Sequence, residues 1–225
     1  MSYSSEKNPI YFGGIDPTGS ETRASGCAVM DSHLGVTRLE KIQTDQEIMK
    51  FFLPYKDNLY AIGLDGPCKL PQGLFPCCFD QNGRHCNHTQ PEGKKGRLCE
   101  RQLAQMGIGC FFTTKRAFAR GWVLRSLNLF EKLTQAGFPV LEIYPYGAKR
   151  CLFGKQVPKK STRTGTKILQ ELVSSLGIKL ESGRSYSHDE LDAVIGAYTC
   201  YLHWCGKAQE LGNETEGKIV LPLIS

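Results

Sequence analysis

Three observations predict an α/β fold built on a mixed sheet. The chain opens with three apolar runs separated by short turns, IYFGGID, GCAVMDS and VTRLEKIQ, which read as an antiparallel meander. A helical segment then leads into a further strand, LYAIGLD, and a strand–helix–strand crossover makes a parallel pair. Near its end the chain carries HDELDAVIGAYTCYLHW, apolar enough to be a buried helix.

Each element has its local reason. The segment TDQEIMKFFLPY has Thr44 as a candidate N-cap and apolar residues at helical spacing through Phe52. From Gly66 to Gly96 the chain is rich in Gly, Pro, Cys and polar residues without periodicity, so about 66–96 reads as an insertion or a long active-site loop. RLCERQLAQMGI resumes a helix, CFFTT suggests a short extended piece, and GWVLRSLNLFEKLTQAG is a helix stopped by Gly137. PVLEIYP reads as a buried strand, and KSTRTGTKILQELVSSLGI carries a helical stripe of Ile168, Leu169, Leu172, Val173 and Leu176, ended by Gly177. In the last helix the small residues Ala193, Gly196 and Ala197 would let it lie close on the sheet, and the tail GKIVLPL adds an edge strand or covers the core. A length of 225 residues suits one domain, 1–225, with the Cys-rich insertion inside it. The order of elements is that of a ribonuclease H-like architecture.

Four acids stand at strand ends and a helix start, positions that can bring carboxylates from distant sequence together. Asp16 and Asp65 each end an apolar strand, while Asp189 and Asp192 open the last helix three residues apart, on one face. Carboxylate oxygens suit Mg²⁺ or Mn²⁺, and two such ions can clamp the attacking and leaving oxygens of a phosphodiester. Each acid also has an ordinary explanation. Asp before Pro or Gly is a common turn residue, and Asp at a helix start caps it or favours its dipole. Glu142, in PVLEIYP, would be aimed at the same cluster from a sixth sheet position, or is an ordinary polar strand residue. His188, beside Asp189, would shuttle a proton or sit at the helix surface. Glu100, with Arg97 and Arg101 beside it, reads as a surface ion pair as readily as a catalytic acid.

The net charge is +6 with a pI near 8.8, compatible with a polyanionic partner or with a solvated basic face. In KKSTRTG, Lys159, Lys160, Arg163 and then Lys167 stand at a helix start and would contact phosphates. No apolar run approaches the ~20 residues that cross a bilayer, and no apolar signal core opens the chain, so the expectation is a cytoplasmic protein with no membrane association. Reduced thiols are then the default for the ten cysteines. The loop between Cys68 and Cys99 also holds Cys77, Cys78, His85, Cys86 and His88. Such ligands suit Zn²⁺ or an iron–sulfur cluster, with Cys77, Cys78, Cys86 and Cys99 the preferred set, against a reading as inert thiols.

Taken together, GGIDPTGS, AIGLDGP, GRLCERQLAQMGI, VLEIYP, KKSTRTG, HDELDAVIGAY and EGKIVLP resemble the domain-of-unknown-function 429 family, over nearly the whole chain. That resemblance implies a ribonuclease H-like fold and nuclease activity. HDELDA is also similar to the D-x-x-D-A that opens the last helix of RuvC-type Holliday junction resolvases, whose other two acids end the first and fourth strands. This resemblance gives Asp16, Asp65, Asp189 and Asp192 the four metal-binding places. The chain differs from those resolvases in carrying Asp65 where they have Glu and in its Cys-rich loop.

The expected function is therefore metal-dependent hydrolysis of DNA or RNA, with Asp16 bridging two ions and His188 or Glu142 assisting proton movement. Two other readings stay open. One is a phosphotransferase of the actin-like fold, suggested by GGIDPTGS although a second Gly-rich phosphate loop is missing from the sequence. The other is a module that binds nucleic acid or a protein partner without cleaving, and a homodimer is compatible with any of the three.

Overall fold

The computed structural model describes residues 9–80, 86–115, 117–158 and 162–224. Seven strands form one sheet in the order β3-β2-β1-β4-β5-β7-β6. The meander β1 (Tyr11–Asp16), β2 (Ser25–Asp31) and β3 (Val36–Ile42) is antiparallel. Helix α1 (Asp45–Phe52) then crosses to β4 (Leu59–Asp65), which runs parallel to β1. The N-cap expected at Thr44 is present and is completed as a capping box: its hydroxyl accepts from Glu47 N–H while the Glu47 carboxylate accepts from Thr44 N–H.

Helices α2 (Leu98–Gln105) and α3 (Arg120–Gln135) follow the Cys-rich connection, and CFFTT between them forms no strand. Strand β5 (Val140–Ile143) lies parallel to β4, and α4 (Pro145–Phe153) starts two residues later. Next come α5 (Arg163–Ser175) and α6 (His188–Trp204). The tail is a hairpin, β6 (Ala208–Asn213) and β7 (Gly217–Pro222), not a lone edge strand. GKIVLP is β7, internal to the sheet and beside β5, while β6 takes the edge. This is the α/β mixed sheet, flanked by helices, that the element order predicts.

Side chains alternate between two faces of the sheet. Ile15, Cys27, Val29, Ile62 and Leu64 pack with Phe51 and Phe52 of α1 and Leu129 and Leu133 of α3. On the other face Phe12, Ala28, Met30 and Ala61 pack with Leu191, Val194 and Ile195 of α6. Three glycines on that second face make the seat for α6. A Cβ on Gly26 of β2 would lie 2.2 Å from the carbonyl oxygen of Asp189, one on Gly14 of β1 1.9 Å from that of Ala193, and one on Gly63 of β4 2.8 Å from that of Gly196. Backbone meets backbone at all three points, which fixes where the start of α6 lies over the sheet.

Candidate functional site

Ile15 stands opposite Leu64, so Asp16 and Asp65 end neighbouring parallel strands at one edge of the sheet. Each comes two residues after a glycine that touches α6, and both carboxylates therefore leave the sheet on the α6 side. Asp16 is buried and Asp65 half-buried. Asp192, one turn before Gly196, is 2% exposed. Tyr144, just past β5, lies within electrostatic reach of both Asp65 and Asp192. Burial raises its phenol above the ordinary value, and those two carboxylates push the same way. Among the described residues no three acids bring their oxygens all within 4.8 Å of one another, so the acidic cluster is an open one.

Asp189 and Asp192 differ in setting although one helix face carries both. Asp189 is on the rim, its carboxylate accepting from Lys41 Nζ at 3.2 Å. Asp192 Oδ1 lies 2.5 Å from Lys149 Nζ, with both side chains at most 3% exposed. In the sequence Lys149 reads only as half of a basic pair with Arg150. Its buried helical neighbours Ala148 and Cys151 are the available sign that it points inward. His188 is the first residue of α6, half-buried and adjacent to Asp189.

Glu142 is engaged elsewhere. It alternates with Ile143, which packs toward Gly196, and so turns from the face that carries Asp16 and Asp65. Its carboxylate accepts two hydrogen bonds from Arg97, at 2.6 and 2.8 Å, and one from Cys68 N–H at 2.9 Å. Burial lifts this carboxyl above its usual value against the pull of Arg97. Arg97 also donates to Glu100 at 2.8 Å, and Glu100 accepts from Thr113 N–H and Oγ1. Glu100 is thus a buried member of this network rather than a surface ion pair. The network fixes both ends of the Cys-rich connection and borders a cavity of about 50 Å³ lined by Asp65, Glu142, Tyr144, Trp122 and Phe111. Phe111 is 70% and Phe118 80% exposed, with their rings edge to face at 5.0 Å.

A second buried guanidinium holds the loop after Asp16. Arg125 of α3 donates to Asp45 Oδ1 at 3.0 Å, to the Thr18 carbonyl and hydroxyl at 3.0 and 2.8 Å, and to the carbonyls of Ser20 and Gln43. Nothing in its spacing announces it. Arg163 and Lys167 stand one turn apart and exposed at the start of α5, behind the N-cap Thr162, whose hydroxyl accepts from Gly165 N–H. Lys159 and Lys160 lie outside the described residues, as does His85.

In the Cys-rich connection the sulfurs of Cys77, Cys78 and Cys86 all lie within 4.8 Å of one another. Cys99 does not join them. It is buried in α2 within the core, where burial pushes its thiol up to about 12, because that helix face packs inward on the sheet.

No helix among the described residues is long and apolar enough to cross a membrane. Comparison with curated proteins finds no match. Among solved structures, RuvC of Thermus thermophilus is similar at a TM-score of 0.40 and 14% identity, over 88% of this chain and 97% of that one. A family model described as "Protein of unknown function (DUF429)" matches residues 14–217, and the chain therefore belongs to the DUF429 family.

Proposed function

We propose that the protein is a metal-dependent nuclease, with Asp16, Asp65 and Asp192 as the principal carboxylates and Asp189 at the rim. The observation that carries this reading is the junction of two strand-terminal acids on one edge and one face of the sheet with a buried acid on the helix that crosses that face. An all-oxygen donor set of this kind fits Mg²⁺ or Mn²⁺ better than a softer cation. When bound, such ions would neutralise charge at the phosphate and acidify an attacking water.

The chain's own residues supply the rest. Lys149 balances the negative charge at Asp192 and keeps that carboxylate in one orientation. The Arg125 contacts hold the loop behind Asp16, and the Arg97 network, in which Glu142 takes a positioning part, holds the backbone next to Asp65. His188, at the start of α6 beside Asp189, is suited to moving a proton near neutral pH. Arg163 and Lys167, with Lys159 and Lys160 before them, would contact phosphates, and the exposed pair Phe111 and Phe118 offers faces for unpaired bases.

The test is cleavage of linear and branched DNA and of RNA by the purified chain in Mn²⁺. Asp16→Asn should abolish cleavage while leaving folding nearly intact, because the amide is nearly the same size as the carboxylate and removes one negative charge from an edge that carries several. Cleavage unchanged by Asp16→Asn overturns the mechanism. Lys149 supports one second reading, in which its ammonium stands permanently in place of an ion and the domain binds without cleaving. Salt-sensitive binding with no cleavage by the wild-type chain would favour it.

A further inference from the structure

We propose that Cys77, Cys78 and Cys86 form a three-thiolate site for one Zn²⁺ ion that holds the Cys-rich connection to the body of the domain. The site is separate from the acidic cluster and does not depend on the nuclease reading.

Geometry comes first. Zinc–sulfur bonds of about 2.3 Å in a tetrahedron put sulfurs about 3.8 Å apart. The three sulfurs already lie within 4.8 Å of one another, and Cys78 and Cys86 are 3.4 Å apart, so shifts of about 1 Å or less close the site. The side chain of Cys78 is buried, that of Cys86 half-buried and that of Cys77 exposed. The fourth tetrahedral position therefore faces the solvent side at Cys77, where water or a further donor completes it. A disulfide between Cys78 and Cys86 would leave the third sulfur, converged on the same point, without a purpose.

The surroundings suit thiolates. Phe75 N–H points at the Cys78 sulfur at 3.5 Å, an electropositive group directed at a ligand atom. Lys115 reaches into the same turn and donates to the carbonyls of Cys86 and His88. Binding would exchange three S–H bonds for three Zn–S bonds and release the protons to solvent. The resulting unit carries one negative charge, beside the Lys115 ammonium.

The connection also needs such a clamp. Among its described residues, the stretch between β4 and α2 contains one three-residue 3₁₀ turn, Pro76–Cys78. Among the described residues its fully buried apolar centre is Leu74, Cys78 and Phe79 against Val123 of α3, with Leu70, Cys86, Trp122, Leu124 and Leu127 partly buried around it. A segment with so little regular structure gains much of its order from a metal.

The experiment uses the full chain, reduced and freed of metal, titrated with Zn²⁺ against a chromogenic chelator, with Co²⁺ as a spectroscopic probe. The expected result is uptake of one equivalent and a sulfur-to-cobalt charge-transfer band. Cys77→Ser, at an exposed position that leaves folding intact, and Cys86→Ser should each weaken uptake by more than the roughly 10–100-fold typical of losing an outer-shell partner. Cys205→Ser, on the exposed end of α6, should leave it unchanged, as should Asp16→Asn. Failure of the reduced chain to bind zinc overturns the proposal, as does undiminished uptake by both Cys77→Ser and Cys86→Ser. A Cys78–Cys86 disulfide that re-forms after reduction without zinc uptake overturns it in favour of a redox bridge.

Discussion

Replacing Gly14 with Ala tests the contact on which the acidic cluster depends. The new Cβ would lie 1.9 Å from the Ala193 carbonyl oxygen and 2.6 Å from the Ala197 nitrogen, whereas ordinary contact begins at 3.4 Å. Both are backbone atoms of α6, so no side chain can rotate away, and the helix must lift by about 1.5 Å or the strand must sink. Overpacking of this kind costs about 3 kcal/mol, at the upper end of its usual range. For a domain of this size that lowers the melting temperature by roughly 6–12 °C. The same lift carries Asp192 away from Asp16 and Asp65, and a misplacement of about 1 Å costs on the order of 10²-fold in rate. The assays are a thermal melt followed by circular dichroism and cleavage in Mn²⁺ below the melting range. Gly109→Ala is the control, since its Cβ would meet nothing within 4 Å. A Gly14→Ala chain that melts within about 2 °C of the wild type would refute the close seating of α6.

Other outcomes follow from the buried charges and the exposed face. Arg97→Met should destabilise the fold by about 3–5 kcal/mol, measured by denaturant unfolding, because it leaves Glu142 and Glu100 buried without their cation. Since burial already raises the Glu142 carboxyl, its ionisation opposes folding; that penalty appears as pH rises through its folded value and is larger in Arg97→Met, whose stability should therefore recover on mild acidification. Arg163→Ala with Lys167→Ala should weaken nucleic-acid binding and reduce its salt slope by about one unit for each phosphate no longer neutralised, read from affinities at several salt concentrations. Phe111→Ala and Phe118→Ala should each weaken binding of a single strand by about 1–3 kcal/mol and spare a blunt duplex.

Much of the architecture was legible because its signals are local. The meander, the α1 crossover and the last helix each announce themselves by period and cap, and Asp16 and Asp65 stand out as polar ends of apolar strands. What escaped is relational. The three-residue separation of Asp189 and Asp192 gave them one face, but only the seat at Gly26, Gly14 and Gly63 makes one a rim residue and the other a buried one. Helix α4 was hidden because Tyr-Pro-Tyr-Gly reads as a turn, although proline is well suited to a first helical turn. Strand β6, AQELGN, has too few apolar residues for a period-two signal. Cys99 is thirteen residues from Cys86 and plausible as its partner on paper, yet its helix turns it toward the core.

The Arg125 contacts bear on the thermodynamics of the substrate capture proposed for this edge of the sheet. One guanidinium joins α3 to Thr18, Ser20, Gln43 and Asp45, so the segment behind Asp16 is anchored by contacts within the fold itself. A mobile segment in that place would lose conformational freedom at every encounter, at about 1–2 kcal/mol for each backbone residue immobilised. Here that loss occurs once, when the chain folds. Association at this edge of the sheet should consequently show a small ordering entropy, and loosening the anchor with Arg125→Lys should appear in calorimetry as a more unfavourable entropy of binding before it appears as a weaker binding enthalpy.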